Sequence, residues 1–277
     1  MVTPPCLATP EFSQQHGSLE TNKADIIAIK KIPQKLALTI TLCAIPVPGF
    51  TDDIKVAVAS NFSSAIKEIA RQFEVNSGHR VILSPGSSGK HYAQIINGAP
   101  FDVFFSADSE RPQMLEEEGI AMAGSRFTYA VGKLVVWSPK SDKVDDKGKV
   151  LNSHNLGYLA IANPKLSPYG RATKQVLKNL GIWESLQGRT VRGENIAQTF
   201  QFVSSGNAAL GFVAYTQIEN TNAMIEGSFW EPPQSLYQPI AQQAVLLKKS
   251  EAAQVFITFV KSQQGQNIIA KYGFKQP

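Results

Sequence analysis

Four short stretches of small hydroxyl, amide and glycine residues recur along the chain, each between an apolar run and a helix-like pattern. They are residues 59–63, 85–89, 167–170 and 193–196. Such residues cap helices and leave backbone N–H groups free, and the helix dipole adds partial positive charge at the same place. Helix starts of this kind bind anions. Each stretch alone is more typical of an ordinary capped helix that binds nothing, so the prediction depends on all four agreeing.

A small, fully deprotonated oxyanion is the ligand that suits these stretches. Its oxygens only accept hydrogen bonds, and a hydrogen bond to a charged group contributes about 1.5–3 kcal/mol. A pocket of donors needs no buried lysine or arginine, which avoids the desolvation penalty of an ion pair. We expect Lys90 and Arg171, beside two of the stretches, to lie on solvated helix faces. Glu194 would repel an anion, so we expect it to face away or to cap a helix, and its role stays open.

The elements around these stretches alternate between strands and helices, which predicts an α/β fold with parallel strands and helical crossovers. In such sheets, ligands bind beyond the carboxyl ends of the strands, where the four stretches lie. The predicted strands are residues 54–59, 80–83, 101–106, 158–162, 190–192 and 210–214, and helical apolar faces fall within 65–73, 92–96, 172–180 and 196–203.

The chain is predicted to form two lobes, each a central, mostly parallel sheet flanked by helices. Apolar runs at 131–137 and 239–247 are interpreted as the two crossings between the lobes. The first lobe then comprises residues 50–133 and 240–277, and the second comprises 134–239. A final helix over about 252–272 is expected to pack on the first lobe. Two such lobes would bring the four stretches face to face across a cleft.

Residues 1–49 are interpreted as an N-terminal extension with an export signal. A basic segment containing Lys30, Lys31 and Lys35 precedes the mostly apolar stretch 36–47, which is typical of a secretory signal and too short to span a bilayer. We therefore expect an exported, periplasmic protein. A lipid anchor at Cys43 is disfavoured because Leu42 precedes it where a small residue is wanted.

The composition excludes several classes of function. The chain has 277 residues, 43% of them hydrophobic, and a net charge of +5 from scattered basic residues, so it shows no nucleic-acid-binding patch. No nucleophile–base arrangement, paired carboxylates, zinc spacing or nucleotide fingerprint is found, and residues 86–89 lack the Lys-Ser or Lys-Thr pair of a P-loop. We expect no enzyme and no cofactor.

The chain resembles the periplasmic molybdate-binding proteins of ABC uptake systems. The resemblance runs over about 54–274. It is carried by residues 58–62, 98–108, 126–139, 163–170 and 210–214, of which the Gly-Ala-Pro block ending in Ser-Ala-Asp is fairly specific. It implies a type 2 periplasmic-binding-protein fold. It also implies a monomer that captures molybdate, and tungstate as well, and delivers the anion to an ABC-type permease in the inner membrane.

The resemblance also implies which residues bind the anion, the molybdenum being held only through its oxygens. These residues are Ser60, Asn61, Ser88, Tyr169 and Ile196. The serines would give hydroxyl donors, and Tyr169 and Ile196 would give backbone N–H groups. One departure concerns a tyrosine donor of many members, whose position is Ala214 here. Tyr215, one residue later, would point to the opposite face of the strand, so Asn61 is the candidate replacement.

Other readings stay open on the residues alone. A binding protein of the same architecture for sulfate, phosphate or iron is one. Iron would call for tyrosine and carboxylate ligands, in which the four stretches are poor, and protonated phosphate would need an acceptor, for which Glu194 is the candidate. A ligand-sensing domain of a transcription regulator is disfavoured by the export signal. A cavity shaped for molybdate would hold smaller sulfate poorly.

Overall fold

The computed structural model describes residues 52–219 and 225–276. The predicted export signal and extension, 1–49, lie outside the described residues. The strands are β1 Asp53–Ala59, β2 Arg80–Gly86, β3 Val103–Ser106, β4 Phe127–Gly132, β5 Leu134–Ser138, β6 Leu159–Ala162, β7 Thr190–Gly193, β8 Leu210–Ala214, β9 Ser228–Trp230 and β10 Ile240–Leu246. The helices are α1 Ser63–Ser77, α2 Ser88–Ile96, α3 Glu110–Glu117, α4 Pro168–Asn179, α5 Ile196–Ser204, α6 Tyr215–Ile218, α7 Glu251–Lys261 and α8 Gln263–Lys271. A 3₁₀ turn, Ser60–Phe62, leads into α1.

The strands form two five-stranded sheets, and each sheet is the centre of one lobe. The order is β2-β1-β3-β10-β4 in lobe 1 and β7-β6-β8-β5-β9 in lobe 2. In lobe 1, β1 is parallel to β2 and β3, and β10 is antiparallel to β3 and β4. In lobe 2, β6 is parallel to β7 and β8, and β5 is antiparallel to β8 and β9. The predicted two-lobed α/β fold is confirmed, with mixed sheets in which the parallel strands carry the helix junctions.

The chain passes from lobe 1 to lobe 2 at a single residue. β4 ends at Gly132 and β5 begins at Leu134, so Lys133 alone separates a strand of one lobe from a strand of the other. The chain returns between β9 and β10, with Pro239 directly before β10. The run 131–137 therefore contains the first crossing, and the run 239–247 begins at the second.

Each lobe has its own apolar core. Lobe 1 packs α1, α7 and α8 on its sheet through Phe62, Phe73, Phe105 and Phe256, among others. Lobe 2 packs α4 on its sheet, with Ile161, Val176, Leu210 and Phe212 buried together. Every residue of β3 and of β8 is buried, as expected for central strands covered on both faces.

The prediction of one long C-terminal helix is wrong. α7 and α8 are separated at Ser262, whose backbone is extended with φ −65° and ψ 163°. The Ser262 hydroxyl accepts a hydrogen bond from the N–H of Gly265 at 3.3 Å, so it starts a new helix. Both helices still pack on lobe 1, because Ile257 and Ile269 belong to its core. Among the described residues, no helix has the length and apolar character needed to cross a membrane.

Candidate functional site

The four predicted stretches meet around one cavity between the lobes, in which the space open to the centre of a water-sized sphere is only about 10 Å³. This is far below the roughly 300–1,000 Å³ of typical organic-ligand pockets, so the cavity suits only a small polyatomic ligand. All five predicted site residues line it. The full lining is Ala59, Ser60, Asn61, Gly86, Ser87, Ser88, Ala107, Ser167, Pro168, Tyr169, Asn195 and Ile196. None of these side chains is ionisable at neutral pH, so polar groups without formal charge surround the ligand.

The start of α2 leaves one backbone donor for the cavity. Ser87 caps this helix, its hydroxyl accepting from the N–H of Lys90 at 3.4 Å. The N–H of Gly89 donates to the carbonyl of Leu166 in lobe 2 at 2.8 Å. Among the described residues, the N–H of Ser88 has no such partner, and the first N–H groups of a helix have none within the helix.

The starts of α4 and α5 each leave one backbone donor in the same way. In α4, the first residue is Pro168, which has no N–H, and the capping hydroxyl of Ser167 accepts from Gly170 at 3.4 Å. In α5, Asn195 Oδ1 accepts from the second and third N–H groups, at 3.0 Å each. The N–H groups of Tyr169 and Ile196 therefore remain, since neither has a partner in the described part of the chain.

Two serine hydroxyls in the cavity wall are oriented as donors. Ser88 Oγ accepts a hydrogen bond from the N–H of Ala107 at 3.0 Å. Ser60 Oγ accepts one from the N–H of Ala197, in lobe 2, at 3.3 Å. Because each oxygen already accepts a backbone hydrogen bond, its own proton is free for another acceptor. Together with the three backbone N–H groups, these hydroxyls make a set of donors.

Asn61 contributes an amide that is held from behind. Its Nδ2 donates to Oε1 of Gln242 at 2.8 Å, which leaves the second N–H of this group. Its Oδ1 is buried and has no hydrogen-bond partner among the described residues. The expectation that Asn61 lies at the site is supported by this placement, whereas its contact with an anion stays a prediction.

Gln242 is a residue that sequence reasoning missed. It is fully buried on β10, where it accepts from the Tyr129 hydroxyl at 3.0 Å and donates to the Tyr169 hydroxyl at 3.3 Å. Burial raises the pKa of both phenols, so both stay protonated at neutral pH. The one available signal was two adjacent glutamines in a strand that otherwise reads as apolar, since strict alternation would place only one of them outside.

Among the described residues, three ion pairs, made by two basic side chains, cross the cleft beside the cavity. Lys90 Nζ lies 3.4 Å from Glu194, and Arg171 lies 2.6 Å from Asp108 and also contacts Glu110. Lys90 and Arg171 lie on partly solvated faces, as expected, with side chains 52% and 38% exposed, and each also reaches a carboxylate of the opposite lobe. The hydrogen bond from Arg171 lowers the pKa of the Glu110 carboxyl. Glu194 faces Lys90 and does not line the cavity, which removes its predicted conflict with an anion.

Tyr215 lies away from the cavity. It begins α6, directly after Ala214 ends β8. Its ring lies 4.4 Å from Lys133 Nζ, at the first crossing between the lobes. Neither Ala214 nor Tyr215 lines the cavity, so the donor that a tyrosine would supply at position 214 is not replaced by its neighbour.

Comparison with known proteins places this chain in a family. Residues 54–275 match the bacterial extracellular solute-binding protein family. The molybdate-binding protein ModA of Azotobacter vinelandii is 49% identical over 225 residues, covering 80% of this chain and 89% of the relative. The chain belongs to the periplasmic molybdate-binding protein family. A second molybdate-binding protein ModA, from Rhodobacter capsulatus, is 45% identical over 251 residues, covering 88% of this chain and 98% of the relative.

A solved structure shows the same fold for this molybdate-binding family. The periplasmic molybdate-binding protein of Azotobacter vinelandii aligns with a TM-score of 0.78 at 45% identity, covering 81% of this chain and 99% of that one. The predicted resemblance to the molybdate-binding family and the periplasmic-binding-protein fold are confirmed.

Proposed function

We propose that this protein captures molybdate between its two lobes and delivers it to an ABC-type permease of the inner membrane. The observation that carries the proposal is the donor set of the cavity. Three helix starts each leave one N–H, at Ser88, Tyr169 and Ile196, without a partner in the described part of the chain, and all three residues line one uncharged cavity. The hydroxyls of Ser60 and Ser88 and the amide of Asn61 complete the proposed ligands, which hold the metal only through its oxygens.

The donor set matches a dianion that only accepts hydrogen bonds. Each bond to a charged oxygen contributes about 1.5–3 kcal/mol, and the helix starts add favourable dipoles. Because no lysine or arginine of residues 52–219 and 225–276 lines the cavity, no side-chain cation among them has to be desolvated with the anion. Hydrogen-bond donors hold and release the anion without breaking any of its bonds. We therefore propose a binding protein that needs no cofactor.

Tungstate is proposed as a second ligand, and sulfate as a poor one. Molybdate and tungstate have the same charge and nearly the same size, so donors at fixed positions separate them little. Sulfate is smaller, and donors spaced for the larger anion cannot all reach its oxygens. Phosphate is less well supported, because Glu194, the candidate acceptor of its proton, pairs with Lys90 outside the cavity wall.

The protein is further proposed to be exported and to act as a monomer. We propose lobe 1 as residues 50–133 with 240–277 and lobe 2 as 134–239, with 1–49 as extension and export signal. The end of β4 at Gly132 and the start of β10 at Ile240 support these boundaries. Delivery to an ABC-type permease is proposed because the chain belongs to the periplasmic molybdate-binding protein family and matches the bacterial extracellular solute-binding proteins. Cell fractionation with an antibody tests export, and accumulation in the cytoplasm would contradict it.

Isothermal titration of the purified protein with molybdate, tungstate, sulfate and phosphate tests the ligand. We expect molybdate and tungstate to bind within about tenfold of each other, and sulfate about 100-fold or more weakly, a difference of about 2.7 kcal/mol. Phosphate is included because Asn61 Oδ1, which has no partner among the described residues, could accept its proton. Equal affinity for sulfate and molybdate would contradict the selectivity, and no binding of any tetrahedral anion would contradict the function.

A further inference from the structure

Gln242 joins the two lobes directly behind the cavity. Its Oε1 accepts from Asn61 Nδ2, in lobe 1, at 2.8 Å, and its Nε2 donates to the hydroxyl of Tyr169, in lobe 2, at 3.3 Å. The Gln242 side chain is fully buried, with an exposed fraction of 0%. Asn61 and Tyr169 are both proposed ligands of the anion, so one side chain contacts a ligand residue of each lobe.

The backbone at the first crossing leaves room for this contact. Gly132 ends β4, and a Cβ atom there would lie 2.7 Å from Nε2 of Gln242 and would also collide with the hydroxyl of Tyr169. Real Cβ contacts are essentially never that short, so a side chain at this position would separate the amide from the phenol. The glycine therefore lets Gln242 and Tyr169 meet at the point where the chain leaves lobe 1.

The chemistry of an amide suits this place because its two ends differ. The acceptor Oε1 faces lobe 1, where it accepts hydrogen bonds from Asn61 and from the hydroxyl of Tyr129, which lies 3.0 Å away. The donor Nε2 faces lobe 2. A buried donor or acceptor without a partner is unfavourable, so the Gln242 amide is satisfied at both ends when the lobes are closed and it reaches both Asn61 and Tyr169.

We propose that Gln242 is a positioning residue that links anion binding to closure of the lobes. It holds the amide of Asn61 toward the cavity. Through its bond to the Tyr169 hydroxyl, it also brings the backbone N–H of Tyr169 toward the anion as the lobes close. Because the bond between Gln242 and Tyr169 joins the two lobes, we expect it to break when the lobes open and so to slow release of the anion. This inference rests on the proposed function, because it takes Asn61 and Tyr169 as ligands.

The substitution Tyr169→Phe tests the link, because it removes the hydroxyl and keeps the backbone N–H that is proposed to bind the anion. Loss of one hydrogen bond of the closed form should speed release about 3- to 10-fold. The measurement is release of radiolabelled molybdate into excess unlabelled molybdate, made on the full protein. Gln242→Leu removes the contacts to Asn61, Tyr129 and Tyr169 and should speed release further.

Ser138→Ala is the matched control. The Ser138 hydroxyl is fully buried and donates to the carbonyl of Ala209 at 2.8 Å, and both residues lie within lobe 2. This control should lower the melting temperature as Tyr169→Phe does and leave the release rate within about twofold, since a hydrogen bond within one lobe does not depend on closure. A release rate that follows only the melting temperature in all variants would overturn the proposal.

The double variant Tyr169→Phe with Gln242→Leu supplies the second test. If the two residues act through one bond, the double variant should release molybdate at the rate of Gln242→Leu alone. If the two substitutions instead multiply each other's effect on the release rate, the two residues act independently, and the proposed link between Gln242 and Tyr169 is overturned. If the unaltered protein binds no tetrahedral anion, the proposed function fails. If it binds molybdate and Tyr169→Phe releases it at the unaltered rate, only the role of Gln242 fails.

Discussion

The backbone N–H of Gly89, in lobe 1, donates a hydrogen bond of 2.8 Å to the carbonyl oxygen of Leu166, in lobe 2. The two backbone segments are so close here that a Cβ on Gly89 would lie 2.9 Å from both Cα and the carbonyl oxygen of Leu166. The lobes therefore touch backbone to backbone next to Ser88, and the structure is that of a closed cleft. Release of a ligand from the cavity requires these contacts to open.

Gly89→Ala should act as a wedge between the lobes. We expect molybdate affinity to fall about tenfold or more, because full closure would force the new methyl group against rigid backbone, an overpacking effect of about 1–3 kcal/mol. The free protein should keep its stability, since alanine favours a helix over glycine by about 1 kcal/mol. Titration calorimetry and a melting curve without ligand measure the two effects. Unchanged affinity would show that this contact is not part of the bound form.

Ser88→Ala and Ser87→Ala form a matched pair of neighbours with different partners. The Ser88 hydroxyl accepts from Ala107 and is free to donate to an anion, so its loss should weaken molybdate binding by about 1.5–3 kcal/mol, roughly 10- to 150-fold. The Ser87 hydroxyl caps α2, so its loss should lower the free energy of unfolding by about 1 kcal/mol.

The measurements for this pair are calorimetric affinity and chemical denaturation of both variants. We expect the affinity loss to be larger for Ser88→Ala and the stability loss to be larger for Ser87→Ala. A larger affinity loss for Ser87→Ala than for Ser88→Ala would show that Ser88 is not the serine that donates to the anion.

Arg171→Gln should loosen the closed form in a salt-dependent way. Arg171 contacts Asp108 and Glu110 across the cleft, and such partly exposed pairs contribute up to about 1 kcal/mol. We expect release of molybdate to be about 2- to 5-fold faster at low salt, and the difference to vanish near 1 M salt, where the screening length is about 3 Å.

Lys90→Gln is the comparison for this ion pair. Lys90 and Glu194 are 3.4 Å apart, with side chains 52% and 41% exposed, so their pairing is weaker. Release rates across a salt series should differ from the unaltered protein by less than for Arg171→Gln. A salt-independent effect of Arg171→Gln would point to packing and not to charge.

His91 should make stability fall in mild acid. It is 4% exposed, its Nδ1 lies 3.2 Å from Gln94 Oε1, and burial lowers its pKa below the usual 6.5. Below about pH 6.5 the unfolded chain takes up a proton that the folded protein resists, so the free energy of unfolding falls by up to about 1.4 kcal/mol per pH unit until the lowered pKa is reached.

Denaturant unfolding from pH 7.5 down to pH 5 measures this slope. His91→Leu, which cannot titrate, should be less stable at pH 7.5 and should show a flatter decline with pH. An equal slope in both proteins would assign the acid sensitivity to other groups.

Local patterns predicted most of the elements that carry the site. The apolar stripe of α1 and the continuous run of β8 are properties of neighbouring residues, and they were located within a few positions of the observed bounds. The break at Ser262 was missed, because the sequence on both sides has the same helical period. Helix α3 was missed as well, since it has only a short buried face containing Pro112 and Leu115.

The sequence by itself determined the chemistry of the donors. Capping residues and Pro168 stand at fixed distances along the chain, so which N–H of each helix start is left unpaired follows largely from local spacing. The four donor-rich stretches could therefore be named before any fold was known, whereas the resemblance to a family was needed to choose the five ligand residues and molybdate.

Only the tertiary structure decided what those donors meet. That Ser60 and Ala197 lie 3.3 Å apart, that Arg171 reaches Asp108, and that Gln242 joins Asn61 to Tyr169 are contacts between residues more than 60 positions apart. Such pairings leave no local signal, because they depend on how two separately packed lobes close. In the sequence, Gln242 is only a polar residue within a strand, and its role becomes visible once Tyr169 of the opposite lobe lies beside it.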